Sequence, residues 1–149
     1  MSKSQLEMVK EFHVATNSPV LPIPGVPPDD RVRLRAKLIM EEAMEVVGAM
    51  LGIEEAPLKQ AITEINGYID DIEPQSQLPN VMKELDDLEY VTQGARLEFG
   101  LGSESFKAVH DNNMTKVGGP MRADGKREKP PGYKKFDAVK WLAENGWPN

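Results

Sequence analysis

The 149-residue chain has no cysteine, which excludes disulfides and thiolate metal sites. Histidine is scarce as well, with only two in the chain. Any metal must therefore be held by oxygen ligands or by His13 and His110, and the acidic residues far outnumber these. Oxygen donors favour hard cations such as magnesium, manganese or calcium. No Glu-x-x-His pair occurs, so a carboxylate di-iron bundle is set aside. No apolar run is long enough to span a bilayer, and the start, Met-Ser-Lys-Ser-Gln-Leu-Glu, has no apolar signal region. A cytoplasmic protein without a membrane partner is the expectation. The formal net charge of −6 argues against a nucleic-acid partner. One domain over residues 1–149 is expected at this length, with a core of its own. Within it, 1–28 reads as a first helix and a proline-rich connection, and 118–149 as a basic loop and a short helix.

What the chain does have is a long amphipathic stretch, Arg31 to Leu51. Asp29 and Asp30 can cap its start and Gly52 can end it. Val32, Ala36, Ile39, Ala43, Val46 and Met50 recur at spacings of four and three, the mark of a helix. A second stripe, Leu34 and Leu38, runs directly into Glu41 and Glu45. At about 100° per residue, Glu41, Glu42 and Glu45 fall within an arc of roughly 100°. Left exposed, such like-charge pairs cost only ~0.2–0.5 kcal/mol each. Packed against another helix, two carboxylates ~5.5 Å apart repel by about 3 kcal/mol at an effective dielectric of ~20. A cluster there needs protons or cations.

Other helices flank this one. Gln5 to Ala15 reads as the first, with Leu6, Met8, Val9, Phe12 and His13 on its inner side. His13 beside Phe12 reads as a core or interface residue. Asn17 to Pro28 holds five prolines and is extended. Pro57 to Glu73 reads as a helix interrupted near Gly67, with Glu64, Asp70, Asp71 and Glu73 solvated. Pro74 to Pro79 is a turn.

Pro79 to Phe99 is the second strong helix, stepping through Val81, Leu85, Leu88, Thr92, Ala95 and Phe99. Glu84 and Asp87, at i and i+3, give it an acidic edge beside that stripe, whereas Asp86 and Glu89 point away and read as exposed. Gly94 continues the line and costs about 1 kcal/mol relative to alanine in a helix interior. The close approach of a helix or ligand would account for it. Acids bordering the packing stripes of two helices point to a shared metal site. Ser103 can cap the next helix, which carries Phe106, Val109 and His110. Asn112, Asn113 and Lys116 at its end suit phosphate or ribose contacts, or a plain helix cap. The segment from Gly118 to Lys135 is basic and rich in turn residues, with Arg122, Lys126, Arg127, Lys129, Lys134 and Lys135. Such a loop can fold back over a polyphosphate, since lysine and arginine bind phosphate oxygens by charge-assisted hydrogen bonds. Phe136 to Glu144 reads as a short closing helix.

Together these pieces resemble the MazG-like all-α nucleoside triphosphate pyrophosphohydrolases. The signature appears as Glu41-Glu42-Ala43-Met44-Glu45 on one helix and Glu84-Leu85-Asp86-Asp87 on the next. Leu88 to Ala95, Val109 to Lys116, Gly119 to Lys126 and Lys129 to Gly132 resemble the branch that includes bacterial dUTP-hydrolysing members. The likeness covers about residues 30–135, excluding most of 53–78. It departs from the family in the 38 residues between Glu45 and Glu84, more than is usual there. The resemblance implies an all-α bundle of four to five helices, of the MazG-like and dimeric dUTPase type. It also implies assembly as a homodimer or tetramer. The implied activity is Mg2+-dependent hydrolysis of a nucleoside triphosphate, such as dUTP or a non-standard nucleotide, to monophosphate and pyrophosphate. Mn2+ would be able to substitute. By motif position Glu42, Glu45, Glu84 and Asp87 would be metal ligands, and Glu41 a ligand or the base that orients water. Tyr90, Asn113, Lys116, Arg122, Lys126 and Lys129 would contact nucleotide or phosphates. Two other readings stay open: a nucleotide- or metal-binding module without catalysis, and a structural helical dimerisation protein.

Overall fold

Ser4 opens the chain's first helix with a reciprocal cap. Its hydroxyl accepts from the Glu7 amide at 3.2 Å while the Glu7 carboxylate accepts from the Ser4 amide at 2.7 Å. The computed structural model describes residues 3–123 and 126–148. It is all-helical: α1 (Gln5–Ala15), α2 (Asp29–Leu51), α3 (Glu55–Asp70), α4 (Leu78–Glu98), α5 (Glu104–Met114) and α6 (Ala138–Glu144). The last is the short closing helix, one beyond the four or five of the expected bundle. No strand forms among the described residues, apart from a single antiparallel bridge between Met121 and Arg127. None of these helices is long and apolar enough to cross a membrane.

The chain divides into two compact units, Pro24–Glu84 and Met1–Ile23 with Leu85–Asn149, so the boundary falls inside α4. The first unit is an antiparallel hairpin of α2 on α3. Gly52 turns the chain in the left-handed region (φ 68°), its amide donating to the Gly48 carbonyl. Near the turn, a Cβ on Gly48 would stand 2.7 Å from Leu58 Cδ2, so the helices touch through a glycine. At the other end Lys37 pairs with Asp70, and Arg33 Nε donates to the Ile72 carbonyl at 2.9 Å. Asp29 and Asp30 do not cap α2. They lie in its first turn behind Pro28, where their charges complement the helix dipole without a side-chain bond. The face that α3 covers carries Leu34 and Gly48, both buried, and Leu38, half-buried. The longer stripe expected inside is instead open, with Ile39, Val46 and Met50 exposed. α3 starts two residues earlier than expected and runs unbroken through Gly67.

In the second unit α1 packs on α5. Met8 is buried there, and Phe12 and His13 are half-buried. Leu6 and Val9 are exposed, against expectation, because they lie about 160° and 100° round the helix from Met8. His110 is buried with its Nε2 3.3 Å from Glu11 Oε2, which also accepts from Lys3 Nζ at 2.6 Å. His13 Nδ1 meets the Pro19 carbonyl at 3.0 Å and ties the proline-rich connection back to α1. Ser103 does precede α5 but makes no side-chain cap, its backbone already being helical (φ −85°, ψ −9°). Arg96 Nη1 holds the turn between α4 and α5 by donating to the Gly102 carbonyl at 2.8 Å.

Candidate active site

The acids of α2 lie on and beside its covered face. Glu41 is half-buried, one turn past Leu38, while Glu42 and Glu45 are exposed. Lys59 of α3 is held above the ordinary lysine value by its hydrogen bond to Glu55, and Glu45 adds a smaller pull. Glu45 is thus within electrostatic reach of a lysine on the neighbouring helix. The antiparallel register, Gly48 against Leu58 and Lys37 against Asp70, sets Asn66 level with Glu41. The Asn66 amide oxygen is buried and has no hydrogen-bond partner. Nothing in the pattern of charges singled Asn66 out. Only the pairing of the helices reveals it.

On α4, Glu84 and Asp87 are exposed one turn apart, and Glu84 accepts from Lys83 Nζ at 3.0 Å. Asp86 and Glu89 are exposed as expected, but they line a groove of about 480 Å3 with Tyr90, Gln93, Gly94 and Leu97. Tyr90 is 84% exposed. A Cβ on Gly94 would meet nothing within 4 Å, so no neighbouring helix within the chain accounts for that glycine. Among the described residues, no three histidine, aspartate or glutamate side chains form a group that could hold a metal ion in the single chain.

The basic segment is folded. The Met121–Arg127 bridge is flanked by hydrogen bonds from Arg122 N to Lys126 O and from Glu128 N to Pro120 O, both 2.8 Å. Asp124 and Gly125, within the Gly119–Lys126 motif, lie outside the described residues. Gly119 is buried where the returning segment crosses, and a Cβ there would drive into the Glu128 carbonyl. Arg127 staples the loop down, donating from Nη1 to Gly119 O at 2.8 Å and from Nη2 to Thr16 O, just after α1, at 2.6 Å. Of the residues expected to touch phosphates, Arg122 is exposed and Lys126 half-buried. Asn113 accepts from Lys116 Nζ at 2.8 Å. Lys116 and Lys129 both stand over the ring of Tyr133, which the sequence reading passed over.

Two comparisons bear on this arrangement. A solved structure from Exiguobacterium sp. 255-15, a provisionally assigned NTP pyrophosphohydrolase, is similar in fold. It is 24% identical at a TM-score of 0.67, covering 98% of this chain and 100% of its own. No curated protein matches the chain. The sequence model of the phosphoribosyl-ATP pyrophosphohydrolases matches residues 9–113, from α1 to the end of α5, and so includes both acidic helices. The family matched is this one, not the dUTP-hydrolysing branch that the motifs of 88–132 resemble. With well over half of its length matched, the chain belongs to the phosphoribosyl-ATP pyrophosphohydrolase family, hydrolases of nucleotide pyrophosphate bonds.

Proposed function

We propose that this protein hydrolyses a nucleoside triphosphate to the monophosphate and pyrophosphate, using a divalent cation, Mg2+ or in its place Mn2+. The observation that carries the reading is the match to this family over 9–113, in a chain that has acids on both α2 and α4 and a folded basic loop. The donor set fits a hard cation: Glu41, Glu42, Glu45, Glu84 and Asp87 offer only carboxylate oxygens. The buried, unpartnered amide oxygen of Asn66 adds a neutral donor level with Glu41. Bound there, such a cation would polarise phosphate oxygens and lower the pKa of an attached water.

The chain's own groups supply the rest. Glu42, Glu45, Glu84 and Asp87 hold the cation, and Glu41 either joins them or takes the proton of the attacking water. Lys116, Lys129, Arg122 and Lys126 meet the phosphates, and Asn113 fixes the Lys116 ammonium. As the bond bridging the α and β phosphates breaks, charge collects on the departing pyrophosphate, and these cations offset it. Tyr90 and the groove beside it take the nucleoside. The ligand set closes in a homodimer or tetramer, because α4 presents its acids among exposed apolar residues that a second copy would cover.

The test is pyrophosphate release from a panel containing dUTP, the standard and non-standard nucleoside triphosphates and phosphoribosyl-ATP, with and without Mg2+. Glu45→Gln and Asp87→Asn are each expected to lower turnover by about 100-fold or more. Undiminished turnover in both would remove these acids from the site. Mg2+-dependent nucleotide binding without any product would leave a binding module.

A further inference from the structure

Tyr133 gathers two lysines that are 13 residues apart in the sequence. At the end of α5, the Thr115 amide and hydroxyl both donate to the Asn112 carbonyl, at 3.2 and 2.6 Å. That turn puts Lys116 just beyond the helix. Across from it, Pro130-Pro131-Gly132 makes a second turn, with Gly132 at φ 83° and the Tyr133 amide donating to the Pro130 carbonyl at 3.1 Å. Tyr133 is then fixed at its far end, where Asn112 Nδ2 donates to its hydroxyl at 2.9 Å. Around the ring so placed stand Lys116 Nζ, 5.6 Å from the centroid, and Lys129 Nζ, at 5.3 Å. The two ammonium groups are thus no more than about 11 Å apart.

Two like charges on one ring call for an explanation. An aromatic face attracts an ammonium group through its quadrupole, but it offers no full negative charge to neutralise two of them. Among the described residues Lys116 bonds the neutral Asn113 amide and no carboxylate. Each lysine therefore has most of its hydrogen-bonding capacity for an outside anion, while the ring limits where the head can go. Lysine loses much rotamer freedom when a ligand fixes it, and a partly placed lysine loses less.

We propose that Tyr133 is a positioning residue, its ring holding Lys116 and Lys129 as a preset pair of cations for the phosphate chain of the substrate. This rests on the pyrophosphohydrolase reading, and its test separates the two. The full chain is titrated with inorganic tripolyphosphate, without metal, by calorimetry, and KM and kcat are measured on whichever nucleotide the panel identifies. Tyr133→Leu is expected to weaken tripolyphosphate binding by about ten-fold and to lower kcat/KM by at least as much. Tyr133→Phe keeps the ring and restores most of the binding. Lys129→Gln is expected to cost markedly less in the Tyr133→Leu background than in the natural chain, the sign of coupling.

Equal cost in the two backgrounds, or tripolyphosphate binding by Tyr133→Leu as tight as by the natural chain, would overturn the proposal. Should Tyr133→Leu fail to fold, the natural chain still decides. The ε-methylene resonances of both lysines, shifted by the ring, must move on adding tripolyphosphate, and their staying fixed at saturation would overturn it equally. Tripolyphosphate bound with the expected coupling but no nucleotide hydrolysed would sink the function and leave this pair standing. Hydrolysis intact with no coupling would do the reverse.

Discussion

Gly119 has no side chain because the Glu128 carbonyl occupies the place of one. The obstructing atom is backbone, itself held in the bridge that closes the loop, so it cannot swing aside. Gly119→Ala is therefore expected to cost about 1–3 kcal/mol, the range for overpacking a tight site. Thermal unfolding would register it, and faster hydrogen exchange at the Glu128 amide would place it in the loop. Other single residues show what a sequence does and does not tell. Gly52 was readable as a helix end because a left-handed cap needs glycine. Asp29, Asp30 and Ser103 were plausible caps whose hydrogen bonds the local backbone leaves unmade. Tyr133 and Asn66 were not readable, since Tyr133 matters through Asn112, distant in sequence, and Asn66 through the helix register that buries its unpartnered oxygen level with Glu41.

Among the elements, α1 has the clearest dependence on pH. Glu7 sits below its ordinary value of 4.5 because the Ser4 amide and hydroxyl bond its ionised form. Glu11 is also lowered from 4.5, chiefly by its bond to Lys3 and further by His110, against a partial desolvation that raises it. A carboxyl depressed on folding stabilises the fold above its unfolded value, and that stability is lost as pH falls through the folded one. The docking of α1 on α5 should thus hold from neutrality down to about pH 4.5 and weaken below. Glu11→Gln should flatten that acid limb, as followed by helicity against pH; an unchanged limb would show that Glu11 does not anchor α1. Helix positions were legible to within two or three residues because period and punctuation are local. Gly67 misled since a helical glycine costs only about 1 kcal/mol, which the packing of α3 on α2 outweighs.

For the whole molecule, hydrophobic period states that a face is buried, but not whether the same chain or another copy buries it. The all-α class and the two acidic helices were therefore legible, and the inner faces were not. The stripe of Ile39, Val46 and Met50 was expected inside and is exposed, and the described residues bury only Met8 and Leu34 among apolar side chains. α4 is the extreme case. Val81, Met82, Leu85, Leu88 and Val91 are all exposed, Val91 at 68%, although the helix has the spacing of a packed one. Burying one such side chain completely contributes about 1.5–3 kcal/mol. Leaving five in water forgoes several kcal/mol, a large part of the roughly 5–15 kcal/mol that keeps a domain folded. A second copy of α4 would recover it and bring further carboxylates to Glu84 and Asp87. Sedimentation should accordingly find a multiple of 16.6 kDa. Leu88→Glu, which puts a charge into that face, should shift the chain toward the single mass and abolish pyrophosphate release together. Glu45→Gln should abolish release while the assembly persists, since Glu45 lies on α2, outside this face. A monomeric natural protein that still turns over nucleotide would show that one chain closes the site alone.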